Sequence, residues 1–103
     1  MTIYQTLQTI GLPVVYSHFR DDDSDPVDPP YIAYIGAGQN TMSADDTWYW
    51  RENLYQIEYY FKTKSETNET AIENALLSAG YRYGKSEDIF IEDEGVFVIY
   101  YTV

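Results

Sequence analysis

Apolar residues recur along this chain in two rhythms, helical spacing near its start and in its second half, strand-like alternation elsewhere. Ile3, Leu7 and Ile10 fall on one helical face, and Thr2 with Gln5 three residues later has the spacing of a capping box. Gly11 supplies the stop, because glycine accepts the left-handed backbone of a helix C-terminus and the nearby Pro13 cannot continue the helix. Ser65 opens a second helix. Glu66 and Glu69 sit in its first turn, where carboxylates favour the helix dipole; Ile72, Ala75, Leu76 and Ala79 make its apolar stripe, and Gly80 ends it.

The strand signals lie around these helices. Val14 to Tyr16 reads as a short extended piece. Tyr31 to Ile35 is apolar on both faces, as in an interior strand, and Gly36-Ala37-Gly38 is expected to end it, with polar residues 39–46 as the turn. From about Thr47 to Lys64, Tyr55, Ile57, Tyr59 and Phe61 alternate with Gln56, Glu58, Tyr60 and Lys62, one set for the core and one for water. Tyr81 to Val103 reads as a hairpin, with Ile89 and Ile91 on one strand and Val96 onward on the other. Glu92 to Gly95 joins them as a type I turn with a glycine-dependent bulge. The expected order is α-β-β-α-β-β. That is an α+β fold, with a mostly antiparallel sheet of four to five strands and both helices on one face.

With 103 residues, no internal repeat and no flexible linker, the chain is expected to form a single domain, 1–103. One stretch departs from the pattern. Around residues 20–30, Asp21, Asp22, Asp23, Asp25 and Asp28 share the stretch with three prolines, which deny both helix and ladder, so an acidic, solvated loop is expected. A sheet with helices on one side leaves its other face to be covered. Twelve Tyr, four Phe and two Trp make another copy or a neighbouring protein the expected cover.

Charge narrows the partners. Six basic and seventeen acidic residues give a net charge of −11, which opposes nonspecific attraction to nucleic acid or to an anionic membrane. Without cysteine there is no disulfide framework and no thiolate metal site. The N-terminus lacks the basic and apolar regions of a signal peptide, and no stretch approaches the roughly eighteen apolar residues that span a bilayer.

Candidate chemistry is sparse. The run Asp21, Asp22, Asp23, Asp25 and Asp28 offers oxygen ligands, but counting from Asp21 the sixth position is Pro26 and the twelfth Ile32, where a calcium loop needs Gly and Glu. His18 is the only histidine and has no serine in a nucleophile-elbow context. Asp45-Asp46 and Glu92-Asp93-Glu94 fall in predicted turns, where acids are expected for solvation. Gly36-Ala37-Gly38 lacks the Lys-Ser/Thr of a phosphate loop. No catalytic residue, metal or cofactor is therefore expected. Trp48 and Trp50, two apart on a strand, share a face by period-two counting and with Tyr49 and Tyr60 are the candidate interface residues; stacking on a base or sugar ranks below that reading, and ordinary packing beside it.

With this element order, the chain resembles the tail-completion, or tail terminator, proteins of long-tailed bacteriophages and prophages of Gram-positive bacteria. The resemblance runs through Ile10-Gly-Leu-Pro-Val14, Tyr16-Ser-His-Phe19 leading into the acidic loop, and Pro30-Tyr-Ile-Ala-Tyr34. It continues through the strand from Asn53 to Tyr59, the helix ending Ala79-Gly80, and the closing hairpin. It implies a non-enzymatic virion protein, made in the bacterial cytoplasm, that forms a ring, commonly a hexamer, at the tail–head junction. There it would contact the tail-tube protein and the head–tail connector proteins. In such a ring, Asp21 to Asp28 would give an acidic lumen that DNA passes without sticking. Two other readings stand beside it: a head-closure or minor capsid subunit, which shares the assembly logic, and an acidic DNA mimic that inhibits a host nucleic-acid-binding protein.

Overall fold

The computed structural model describes residues 2–16, 28–44 and 47–103, and of residues 40–44 and 47–52 the backbone only. The first helix, α1 (Ile3–Gln8), opens as its sequence demands. Gln5 N–H donates to Thr2 Oγ1 at 3.1 Å and Thr2 N–H to Gln5 Oε1 at 2.9 Å, so the capping box is complete. The second helix, α2 (Glu66–Ser78), is capped by Ser65, whose Oγ accepts from Asn68 N–H at 3.2 Å. It closes in a Schellman motif, Tyr81 N–H to Leu76 O at 2.9 Å and Gly80 N–H to Leu77 O at 3.0 Å, with Gly80 at φ +89°.

The sheet has six strands and is mixed: β1 (Val14–Tyr16), β2 (Tyr31–Ala44), β3 (Thr47–Phe61), β4 (Gly84–Lys85), β5 (Ile89–Ile91) and β6 (Val96–Thr102). The spatial order is β1-β2-β3-β6-β4, with β5 also on β6. Three features depart from the sequence reading. First, β1 runs parallel to β2, Val14 opposite Ile32, whereas every other described pair is antiparallel. Alternation reports which face a residue takes, not which way its neighbour runs.

Second, β2 does not stop at Gly36-Ala37-Gly38. Gly36 pairs with Tyr55 and Gln39 with Asn53, so three steps on β2 match two on β3. Gly38, at φ +97°, absorbs the extra residue in a bulge, and pairing continues to Ala44, through most of the stretch expected as turn. Third, the first strand of the C-terminal hairpin is split. From Lys85↔Tyr101 to Ile89↔Val98 there are four steps on one side and three on the other, and Ser86 bridges the gap, its Oγ accepting from Tyr100 N–H at 2.9 Å. The order is thus α-β-β-β-α-β-β-β.

The core lies between the helices and one sheet face. Ile3 and Leu7 of α1 and Ile72 and Leu76 of α2 join Ile57, Tyr59, Phe61, Ile99 and Tyr101, all buried. These strand positions are every second residue of β3 and β6, as alternation requires. Burying each large apolar side chain contributes about 1.5–3 kcal/mol before chain entropy is counted. Ring contacts extend this core sideways: Tyr59 stacks on Phe61 at 5.1 Å and Phe61 on Phe97 at 5.4 Å, and Phe90 meets Phe97 tilted at 5.0 Å.

On the N-terminal side of Tyr55, β3 pairs with β2 alone among the described residues, because β6 ends against Tyr55 through Val103. The two strands form an arm that leaves the six-stranded body, and the molecule measures 51 × 31 × 24 Å.

Candidate interaction face

The sheet face turned away from the helices is built by the alternate residues of β2, β3, β5 and β6. Register sets it out in rows: Tyr31, Tyr60, Val98 and Ile89 lie side by side, then Ala33, Glu58 and Tyr100, then Ile35, Gln56 and Thr102. Tyr31 and Tyr60 stack at 4.9 Å with ring planes 22° apart. Val98 and Ala33 are buried, while Ile35 and Ile89 are exposed at 38 % and 37 %. Among the described residues no helix packs on this face.

Glu58 stands in the middle of it, half-buried between Ala33 and Tyr100, and its Oε1 accepts from Tyr60 Oη at 3.2 Å. Burial pushes its carboxyl above the usual range, and the hydrogen bond from Tyr60 only partly offsets that. Burial raises the Tyr60 phenol too, and the nearby Glu58 charge adds to it. Tyr31 is raised by burial first, then by the charges of Glu94 and Glu58. Aromatic rings supply contact area at protein interfaces, and a partly desolvated carboxylate among them would select a counter-charge.

Tyr60, read from the sequence as an interface residue, belongs to this face, though it is half-buried and stacked rather than fully exposed. Trp48, Tyr49 and Trp50 lie on β3 in the arm. Trp50 pairs with Met42 and Trp48 with Ser43, so Tyr49 is the extra residue of a second register shift, and period-two counting from Trp48 to Trp50 does not run through an unbroken ladder. Asp28 is exposed. Asp21, Asp22, Asp23 and Asp25 lie outside the described residues, as do His18, Asp45 and Asp46. Glu92, Asp93 and Glu94 form the exposed turn between β5 and β6.

Sequence reasoning missed an ion network on the helix side. Glu69 is 3 % exposed. Its Oε1 accepts from Lys85 Nζ at 2.9 Å and its Oε2 pairs with Lys64 Nζ at 2.8 Å. Lys85 also pairs with Glu73 Oε2 at 2.9 Å, and Glu73 accepts from Tyr101 Oη at 2.9 Å and Tyr83 Oη at 3.3 Å. Lys64 reaches Asp88 at 3.0 Å. Burial opposes ionisation of Glu69 and Glu73, but the lysine contacts outweigh it and both carboxyls titrate below their usual value. Hydrogen bonds to Glu73 and Glu69 hold Lys85 above the usual lysine range. These contacts fasten α2 to β4 and to the segment that follows β3. Lys64, Glu69 and Lys85 are flanked only by polar residues or glycine and lie too far apart in the chain to be read as partners.

A second missed feature is a shallow cup of about 540 Å³ lined by Tyr4, Tyr16, Tyr34 and Tyr55 with Thr2 and Ile3. The Tyr16 ring meets that of Tyr34 edge-on at 5.2 Å. Among the described residues no three His, Asp or Glu side chains are grouped to hold a metal ion, and no helix is long and apolar enough to cross a membrane. No protein-family model matches this chain, and no curated protein matches its sequence.

Proposed function

We propose that this chain is a non-catalytic virion subunit that ends the tail tube of a long-tailed phage and joins tail to head, assembling as a ring with copies of itself. The observation that supports this best is the sheet face turned away from the helices, on which no helix packs among the described residues. Tyr31, Tyr60 and Tyr100 surround the half-buried Glu58 there, a surface suited to a protein. The arm carrying Trp48, Tyr49 and Trp50 adds reach toward a neighbour. In this reading the partners are the tail-tube protein and the head–tail connector proteins, and the site of action is the tail–head junction of a virion assembled in the bacterial cytoplasm. Asp21, Asp22, Asp23, Asp25 and Asp28 then face the lumen; a ring structure with those aspartates on its outer rim would remove that assignment.

The test is light scattering coupled to size exclusion, with and without polymerised tail-tube protein. Rings, or particles that cap tube ends, support the proposal. A monomer that ignores tubes and instead binds a basic nucleic-acid-binding enzyme in a salt-sensitive way sinks it in favour of a DNA mimic. Capping of connector rings without any effect on tubes moves the role to head closure.

A further inference from the structure

β5 is an edge. It pairs with β6 on one side, and among the described residues no strand pairs with its other side. All three of its residues are apolar, and Ile89 and Phe90 are exposed at 37 % and 52 %. An open edge with exposed apolar side chains is a template for another strand. What sets this edge apart is its flanks. Glu87 and Asp88 precede the triplet and Glu92, Asp93 and Glu94 follow it, so five of the eight residues 87–94 are acidic. Only Asp88 of these five has an ion-pair partner, Lys64, among the described residues.

Those acids decide the occupant. Two copies pairing edge to edge in antiparallel fashion through Phe90 would set Asp88 opposite Glu92 and Glu87 opposite Asp93, and parallel pairing would set each acid opposite itself. Like charges directly opposite one another destabilise a strand pair, so a second copy is disfavoured at this edge. A strand from elsewhere in the chain fits no better, since none of its six basic residues adjoin one another. We infer that the outer edge of β5 receives an extended segment of a different protein, a short apolar strand bracketed by lysines or arginines at both ends. Backbone hydrogen bonds along Ile89–Ile91 hold the segment, and the two acidic flanks select its basic ends. Ring assembly through the opposite sheet face is not needed for this, so the two ideas fail separately.

The probe is the peptide Lys-Lys-Val-Thr-Val-Lys-Lys, titrated into the whole protein and followed by amide NMR. Saturable shifts confined to residues 87–94, with slowed amide exchange there, are expected. The same peptide N-methylated at alternate residues keeps its charge but loses the bonds along one edge, and should bind about tenfold more weakly. The double variant Glu87→Lys with Glu92→Lys, both exposed positions, should weaken the basic peptide at least comparably. Equal binding of the N-methylated peptide would show mere charge attraction and overturn the inference. So would the absence of binding, which would leave the acids as guards against aggregation alone.

Discussion

Lys85 Nζ lies 2.9 Å from Glu69 Oε1 and thereby ties β4 to the first turn of α2 across sixteen residues of sequence. The pair is asymmetric: the Lys85 side chain is 35 % exposed, that of Glu69 only 5 %. Removing the lysine therefore strips a partner from a carboxylate that water cannot reach. Lys85→Met should destabilise the protein by about 1–2 kcal/mol, less than for a fully buried pair because Lys64 remains and solvent screens the lysine. Urea unfolding should show a lower midpoint at unchanged slope, with Lys62→Met, at an exposed position, as the control.

Acid should loosen the same fastening. Glu69 and Glu73 titrate below the ordinary 4.5 in the folded protein, so their contribution is complete above that value and is lost as pH falls through their folded range. Glu58 has the opposite sign: its raised pKa means that stability falls as pH rises from 4.5 through the raised value. Urea midpoints between about pH 3 and pH 7 should accordingly lose part of their acid limb in Glu69→Gln, whereas Glu58→Gln should raise the midpoint at neutral pH. Identical pH profiles for both variants would contradict the assignment.

Tyr60 stacks on Tyr31 and bonds Glu58, which places it at the centre of the sheet face turned away from the helices. Tyr60→Ala should weaken assembly by about 2 kcal/mol, the scale of an interface hot spot, while circular dichroism still reports a folded monomer. Unchanged assembly by light scattering would remove this face from the interface.

Trp48 and Trp50 belong to the part of β3 that, among the described residues, pairs with β2 alone. Trp48→Ala or Trp50→Ala should leave the six-stranded body folded and reduce association by about 2 kcal/mol. A variant that fails to fold would make these residues part of the packing and not of an interface.

Gly38 carries the bulge that lets β2 continue into the arm. A Cβ added there meets nothing within 4 Å, so the cost of Gly38→Ala comes from the backbone at φ +97° and not from collision. About 1 kcal/mol of destabilisation is expected, with faster amide exchange in residues 39–44 than in the helices.

Which parts of this were legible beforehand follows from the range of the interactions. The capping box of Thr2 and Gln5, the Ser65 cap and the stops at Gly11 and Gly80 involve neighbours within five residues, and each was readable from spacing. Alternation in Tyr55 to Phe61 likewise separated core from face, because side-chain direction in a strand has period two. Gly36-Ala37-Gly38 misled because glycine serves a turn and a bulge equally well, and the partner strand decides between them.

The sequence by itself determined the two helices, their caps and the buried stripe that joins them to a mostly antiparallel sheet, since local propensity and periodicity suffice for these. Only the tertiary structure decided the parallel docking of β1, the split of the last hairpin into β4 and β5, the arm, and the meeting of Lys64, Glu69 and Lys85. Each of these depends on which distant segment lies alongside, and no local pattern encodes that choice.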